Sequence, residues 1–184
     1  MLILLILGVL LWSGAHYFKR FMPEARAQLG DKGKVLIAAG IGAALVLMIV
    51  GYRGAAFIPL WTPPAFLTHL NNLLMVVAFY FYAASGAKTA LTQRIRHPQL
   101  TGFKIWAGAH LLVNGNLASV LLFGGLLAWA VGSVILINRA QPTWVPPVQA
   151  PARKEVTTLL ITLVVVVVVM LIHNWLGVQP WGGA

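Results

Sequence analysis

The chain has 184 residues, of which 60% are hydrophobic and only 9% are charged. Soluble domains have about 45–50% apolar and about 25% charged residues, so this chain lacks the polar side chains that would cover a soluble surface. Disordered chains are poor in apolar residues and rich in charge, which excludes disorder. The composition therefore predicts an integral membrane protein, formed as a single domain over residues 1–184.

Cysteine and charge narrow the chemistry further. The chain has no cysteine, which excludes disulfides, thiolate nucleophiles and cysteine-based metal sites. Its formal net charge is +10. In a soluble domain, this charge would suggest that the protein binds nucleic acid. Here the basic residues flank apolar segments, so the expected partner is the lipid bilayer and no nucleic acid is expected.

Five apolar runs have the roughly 20 residues that a helix needs to cross a bilayer. They lie at 2–18, 35–52, 65–86, 116–138 and 156–176. A sixth run, 101–113, forms a helix only about 20 Å long, against about 30 Å of hydrocarbon. It is therefore either a half-span or one arm of a membrane hairpin.

The basic residues decide between these two alternatives. All of them except Arg53 fall in three clusters, at 19–34, 88–104 and 139–154. The positive-inside rule assigns all three clusters to the cytoplasm. The chain between the second and third clusters must then enter the membrane and return.

We therefore predict a helical hairpin that turns at Asn114-Gly115-Asn116, residues typical of turns. A single kinked helix is the alternative, and it would leave one basic cluster outside the cell. The hairpin predicts an all-α, polytopic transmembrane helical bundle of about six passes, with both termini on the periplasmic side. The proline-rich segment 140–152 is predicted to be an extended connector on the surface.

Histidines are the candidate functional residues, because ionisable groups within membrane spans are costly. No carboxylate lies in any span, which excludes paired-acid hydrolysis and a Ser-His-Asp triad there. Two imidazoles without oxygen ligands fit a haem, because the porphyrin itself supplies four nitrogens. A bare metal ion needs a third or fourth ligand. The candidates are His16, His69, His110 and His173, and each has the alternative role of a hydrogen-bonded packing residue.

The depth of each histidine in the membrane suggests two possible pairs. At 1.5 Å per residue, His16 and His110 fall in the cytoplasmic half, and His69 and His173 fall in the outer half. Errors of several residues in the span boundaries leave both pairs open.

Other polar residues near these histidines are candidates for supporting a cofactor. Asn114 follows His110 by four residues on the same helix face, where it either orients the imidazole or satisfies backbone groups at the turn. Arg94, Arg96 and Lys104 lie at the cytoplasmic mouth, where they are candidates for binding haem propionates or an anionic head group. Snorkelling of basic side chains to the interface is the alternative.

Three parts of the chain carry a recognisable pattern: RHPQLTG at 96–102 with KIWAGAHLLVNGNLAS at 104–119, SGAH at 13–16 with FMPEAR at 21–26, and HLNNLLM at 69–75. This pattern resembles the NnrU family. The resemblance covers most of the chain. It implies a multi-span bacterial inner-membrane protein that is linked with nitrite and nitric oxide reduction, or denitrification.

The resemblance also implies a cofactor and its ligands. The same domain forms the core of zeta-carotene isomerase, a haem b enzyme whose ligands correspond to His16 and His110, so these two residues are expected to bind the haem iron. His69 matches the pattern and is expected to line the cavity or support a ligand. The isomerase has a cysteine three residues before its second ligand, and Ala107 stands there in this chain. That difference argues against a redox-driven ligand switch.

The functional expectation is a haem b protein of nitrogen-oxide metabolism, or an isomerase of a hydrophobic polyene. Its expected partners are a hydrophobic small molecule or a respiratory redox protein. The alternative is a non-catalytic assembly factor or transporter for a respiratory enzyme, with structural histidines. The Arg96-His97-Pro98 element also resembles membrane methyltransferases and steroid 5-alpha-reductases, although a helix start at Pro98 explains it equally. No catalytic residue is assigned.

Overall fold

The structure, a computed structural model, describes residues 1–181 and is built from α-helices. The helices are α1 (Leu2–Phe21), α2 (Pro23–Gln28), α3 (Gly30–Arg53), α4 (Leu67–Ala87), α5 (Pro98–Val113), α6 (Leu117–Ala140) and α7 (Ala152–Trp175). A short 3-10 helix (Ala90–Gln93) precedes α5, and α6 contains a π-helical stretch (Val120–Gly124). The predicted all-α, multi-pass membrane fold is confirmed.

Five of these helices are long and apolar enough to cross a membrane, namely α1, α3, α4, α6 and α7. They coincide with the five long apolar runs of the sequence. The 16-residue α5 is the short sixth segment, and it ends where the turn was predicted, at Asn114. The side chain of Asn116 then caps α6, because its Oδ1 accepts a hydrogen bond of 3.0 Å from the Ser119 N–H.

The described chain divides into two compact units. Unit 1 comprises Met1–Trp61 and Gly115–Trp129, and unit 2 comprises Thr62–Asn114 together with the chain from Ala130 onwards. Helix α6 contributes its first part to unit 1 and its second part to unit 2. The expectation of a single domain remains a prediction.

In unit 1, small residues allow α1 and α3 to pack closely. A Cβ atom on Gly51 would collide with the backbone nitrogen of Leu5, and one on Gly8 would lie 2.8 Å from the backbone nitrogen of Met48. Leu5 and Ala44 are fully buried at this interface. Close approach through small residues is how membrane helices gain packing energy without a hydrophobic driving force between them.

One end of unit 1 is held by the turn at Gly115. Its carbonyl accepts hydrogen bonds from the backbone N–H groups of Leu60 and Trp61, at 2.7 and 3.1 Å, and Leu117 N–H donates to Ile58 at 2.9 Å. A Cβ atom on Gly115 would overlap the carbonyl of Trp61, so only glycine fits this position. The segment after α3 and the predicted hairpin turn therefore lie at the same end of unit 1.

In unit 2, α4 packs against both α5 and α7. Gly102 of α5 faces α4 so closely that a Cβ atom there would lie 2.5 Å from the carbonyl oxygen of Ala78. Four alanines of α4 and α5 are almost entirely buried: Ala78, Ala84, Ala107 and Ala109. The packing of small residues thus determines which faces of α4 and α5 meet.

At the end of unit 2 that carries basic residues, hydrogen bonds join the chain before α5 to the end of α6. His97, just before α5, donates from Nε2 to Asn138 Oδ1 at 2.8 Å near the end of α6, and Arg96 donates to the carbonyl of Gln141. The extended connector 141–151 continues along the same end, where Ala150 N–H donates to the carbonyl of Lys88 at 2.9 Å. The second and third basic clusters therefore share one end of unit 2.

Many large apolar side chains are exposed, especially on α1, α3 and α7. Val164 on α7 is 62% exposed and Ile3 on α1 is 72% exposed. In a soluble protein such surfaces would cause aggregation, whereas a bilayer solvates them. The exposed surface therefore agrees with helices that face lipid.

Candidate histidine sites

His16 and His110 occupy matching local settings on α1 and α5. Each follows a tryptophan by four residues, and each donates from Nδ1 to the carbonyl of that tryptophan, at 2.8 Å for His16 and 2.9 Å for His110. The ring of Trp12 lies 4.4 Å from that of His16, and the ring of Trp106 lies 5.1 Å from that of His110, measured between centroids. The same side-chain geometry thus occurs twice.

A repeated pentapeptide produces this geometry. Residues 12–16 read WSGAH and residues 106–110 read WAGAH, so the two pentapeptides differ only at their second residue. The spacing of four residues places Trp and His on one helix face. A Cβ atom on Gly14 or Gly108 would meet nothing within 4 Å, so packing within the described residues does not require either glycine. This short repeat is readable from the sequence, although it is too brief to indicate a repeated domain.

The hydrogen bonds also determine the tautomer of both rings. A carbonyl oxygen only accepts, so Nδ1 carries the proton and Nε2 carries the lone pair. Histidines that bind metals commonly donate their other ring N–H to a backbone carbonyl, which orients the ring and raises its basicity. The chemistry of these two side chains therefore fits axial ligation of a haem iron.

In unit 1, His16 lies in an aromatic cluster. Its ring is 4.8 Å from that of Trp129, and the Trp12 and Trp129 rings are 5.4 Å apart. Tyr17 donates from its hydroxyl to the carbonyl of Trp129 at 2.7 Å. The indole Nε1 of Trp12 is buried without a hydrogen-bond partner. The His16 ring therefore packs against two indoles that also contact each other.

In unit 2, His110 lines a cavity of about 80 Å³, called the inner cavity below. Its lining residues are Asn71, Asn72, Met75, Phe79, Trp106, His110, Val166, Val169, Met170, His173 and Pro180. The structure thus brings His110 together with His173, whereas His69 is exposed and does not line this cavity. The depth estimate had instead paired His173 with His69.

The polar side chains of the inner cavity donate their hydrogen bonds to one another or to the backbone. Asn71 donates from Nδ2 to Asn72 Oδ1 at 3.2 Å, and Asn72 donates from Nδ2 to the carbonyl of Pro180 at 2.7 Å. His173 donates from Nδ1 to the carbonyl of Val169 at 2.8 Å. The Oδ1 atom of Asn71 is buried and has no hydrogen-bond partner.

The other predicted site residues occupy different positions. Asn114 donates from Nδ2 to the backbone carbonyl of His110 at 2.8 Å, so it satisfies the end of α5 and does not contact the imidazole through this bond. Lys104 lies six residues before His110, about 9 Å along the helix. Arg96 lies two residues before the start of α5. Its guanidinium donates hydrogen bonds to the carbonyls of Gln141 and Pro142 in the connector. The roles of Arg96 and Lys104 in cofactor binding remain predictions.

No group of three or more His, Asp or Glu side chains suited to a metal ion occurs within residues 1–181. The element at 96–98 forms a helix start, in which His97 is the N-cap and Pro98 is the first helical residue. This is the simpler of the two interpretations of that element.

Nearly the whole chain matches one known protein family. The family model described as NnrU protein matches residues 4–180. The chain belongs to the NnrU family. The NnrU match includes both Trp-x-Gly-Ala-His stretches and every helix of the structure except the first two residues of α1. No curated protein and no solved structure matches the chain.

Proposed function

We propose that this NnrU protein binds one haem b through His16 and His110. The observation that carries the proposal is the repeated setting of the two histidines, each held by an Nδ1–H bond to the carbonyl of a tryptophan whose ring packs against the imidazole. A bound haem would supply a redox-active iron. His16, His110 and their tryptophans would hold that iron and restrict the orientation of both imidazoles.

Neighbouring residues have supporting roles in this proposal. Trp129 and Tyr17 stabilise the position of the His16 ring in unit 1. Asn114 stabilises the last turn of α5, directly after His110. Lys104, six residues before His110 on α5, is proposed to bind a haem propionate. Because His69 is exposed, a supporting role for it would have to come from contact with the cofactor itself.

For the physiological role, we propose redox chemistry tied to nitrite and nitric oxide reduction, at the bacterial inner membrane. Isomerisation of a hydrophobic polyene is the second candidate. It is supported by an apolar groove of about 230 Å³ in unit 2, described below. The isomerase proposal is weakened by Ala107, a fully buried residue that stands where the carotene isomerase has a cysteine. If the protein is instead a non-catalytic assembly factor or transporter, its histidines are structural and the purified protein shows no haem absorption.

The decisive experiment is the absorption spectrum of the full-length protein, purified in mild detergent from cells supplied with a haem precursor. We expect a Soret band and about one haem b per chain. His16→Ala and His110→Ala should each abolish or shift this band, because each removes a proposed axial ligand. Added imidazole should restore the band in His110→Ala, which would separate loss of a ligand from loss of the fold.

The matched control is His173→Ala, which should keep the wild-type spectrum. His69→Ala is the intermediate case, because His69 is expected to line the cavity or support a ligand. A colourless wild-type protein with native elution on gel filtration would refute haem binding. Haem that survives loss of both His16 and His110 but not loss of His69 would leave the cofactor assignment intact and overturn the ligand assignment.

A further inference from the structure

Unit 2 contains two adjoining spaces, and haem ligation by His16 and His110 does not account for them. The inner cavity lies beside an apolar groove of about 230 Å³ between α4 and α5. The groove is lined by Ala78, Phe79, Tyr82, Gly102, Phe103 and Trp106. Phe79 and Trp106 line both spaces, so the groove and the cavity meet at these two rings.

The inner cavity presents hydrogen-bond acceptors at two positions. The Oδ1 atom of Asn71 is buried and unpartnered, and a buried unpaired acceptor costs free energy unless a ligand or water pairs with it. His173 donates through Nδ1, so its Nε2 atom also carries a lone pair. The thioethers of Met75 and Met170 are at most weak acceptors. The cavity therefore suits a ligand that donates hydrogen bonds.

The size and polarity of the two spaces specify the rest of the ligand. About 80 Å³ is several times the roughly 10–15 Å³ that one water requires, so the cavity accommodates a ring-sized headgroup. The groove offers an almost wholly apolar surface, which matches a hydrocarbon tail. No lysine or arginine lines either space, which disfavours a phosphate or carboxylate headgroup.

We propose that the inner cavity and the groove bind a membrane quinol, with its hydroxyl groups donating to Asn71 Oδ1 and His173 Nε2 and its isoprenoid tail lying along Phe103 and Tyr82. A quinol combines two hydroxyl donors on one ring with a long apolar tail. A polyene has no donor for Asn71, and a phospholipid presents an anionic phosphate. This proposal goes beyond haem binding and does not require it, although His110 lines the same cavity.

The test compares two ligands that differ by two hydrogen atoms, so that only one of them donates hydrogen bonds. A short-tailed ubiquinol and the corresponding ubiquinone are titrated, without oxygen, into the full-length protein in phosphatidylcholine nanodiscs. Both partition similarly into the bilayer, so retention by empty nanodiscs serves as the background. We expect the quinol to bind about tenfold more tightly than the quinone, because only the quinol satisfies the acceptors.

The variants remove one acceptor at a time. Asn71→Leu and His173→Phe should each reduce the preference for quinol to about threefold or less. Asn174→Leu is the matched control, because Asn174 is exposed on the same helix as His173 and does not line the cavity. It should keep the full preference.

Three outcomes would overturn the proposal. The first is equal affinity for quinol and quinone in the wild-type protein. The second is an unchanged preference in the Asn71→Leu, His173→Phe double variant, provided that it is retained in nanodiscs as a monodisperse species. The third is a stoichiometric copper ion that depends on His173 and Met170, which would assign the cavity to a metal. A colourless protein that prefers quinol would refute haem binding and leave this proposal standing.

Discussion

Three histidines donate Nδ1–H to the carbonyl of the residue four positions earlier, namely His16, His110 and His173. This bond depends only on a helical backbone and a suitable rotamer, so it is available to any histidine within a helix. The neighbouring tryptophan ring distinguishes His16 and His110 from His173, which follows Val169 instead. The sequence shows which residue stands four positions before each histidine. It does not show which side chains each histidine meets on neighbouring helices.

Glu155 is the only acidic residue after Asp31, and it connects three segments of unit 2. Its carboxylate accepts a hydrogen bond of 2.9 Å from the Tyr80 hydroxyl and another from the backbone N–H of Ala90. We expect Glu155→Ala to destabilise the protein by about 1–2 kcal/mol, because hydrogen bonds to a charged group are lost. This corresponds to a melting temperature lower by roughly 3–6 °C in a chain of this size.

The measurement is thermal unfolding in detergent, followed by intrinsic fluorescence. Glu24→Ala is the control, since Glu24 is exposed on α2 and should change the melting temperature by less than about 1 °C. Equal melting temperatures for Glu155→Ala and wild type would show that the contact contributes nothing to stability.

At the scale of elements, the apolar runs predicted the long helices to within a few residues. Local sequence suffices here, because a spanning helix satisfies its own backbone hydrogen bonds and needs only an apolar length that matches the bilayer. The short helix α2 and the π-helical stretch Val120–Gly124 were not predicted. Neither has a distinctive apolar period, so the sequence offered no sufficient signal for them.

The packing of α1 against α3 gives a prediction at this scale. In Gly51→Ala, the added methyl group collides with the backbone of Leu5, so we expect a loss of about 1–3 kcal/mol in the free energy of unfolding. Gly42→Ala lies on the same helix, where a Cβ atom meets nothing within 4 Å. It should be neutral or stabilising by up to about 1 kcal/mol, because alanine favours the helix.

Unfolding of both variants in a denaturing detergent, followed by circular dichroism, measures the difference. The two substitutions are chemically identical and lie in one helix, so only the contact with α1 distinguishes them. A Gly51→Ala protein as stable as Gly42→Ala would mean that α1 and α3 do not pack this closely.

At the scale of the molecule, the distribution of basic residues leads to a topology. Within unit 2, the clusters at 88–104 and 139–154 share one end, as the sequence predicted. Asn72, near the start of α4, bonds to Pro180 beyond the end of α7, at the opposite end of that unit. The sidedness of these ends in the cell remains a prediction from the positive-inside rule.

Reporter fusions test that sidedness. Fusions of green fluorescent protein after Arg20, Arg94 or Val145 should fluoresce, because these positions are predicted to be cytoplasmic. Fusions of alkaline phosphatase after Phe57 or at the C-terminus should be active, because these positions are predicted to be periplasmic. The reciprocal fusion at each position is the control. A cytoplasmic C-terminus would contradict the six-pass topology.

The sequence by itself determined the membrane character, the long helices, the break at Asn114–Asn116 and the shared end of the two basic clusters. These features follow from apolar length, turn residues and charge, which act locally or through the bilayer. Only the tertiary structure placed His173 beside His110, rather than beside His69, and left the Asn71 oxygen unpaired in the same cavity. The register between helices decides such neighbours, and it depends on close contacts such as that of Gly102 with Ala78, which no count along one helix contains.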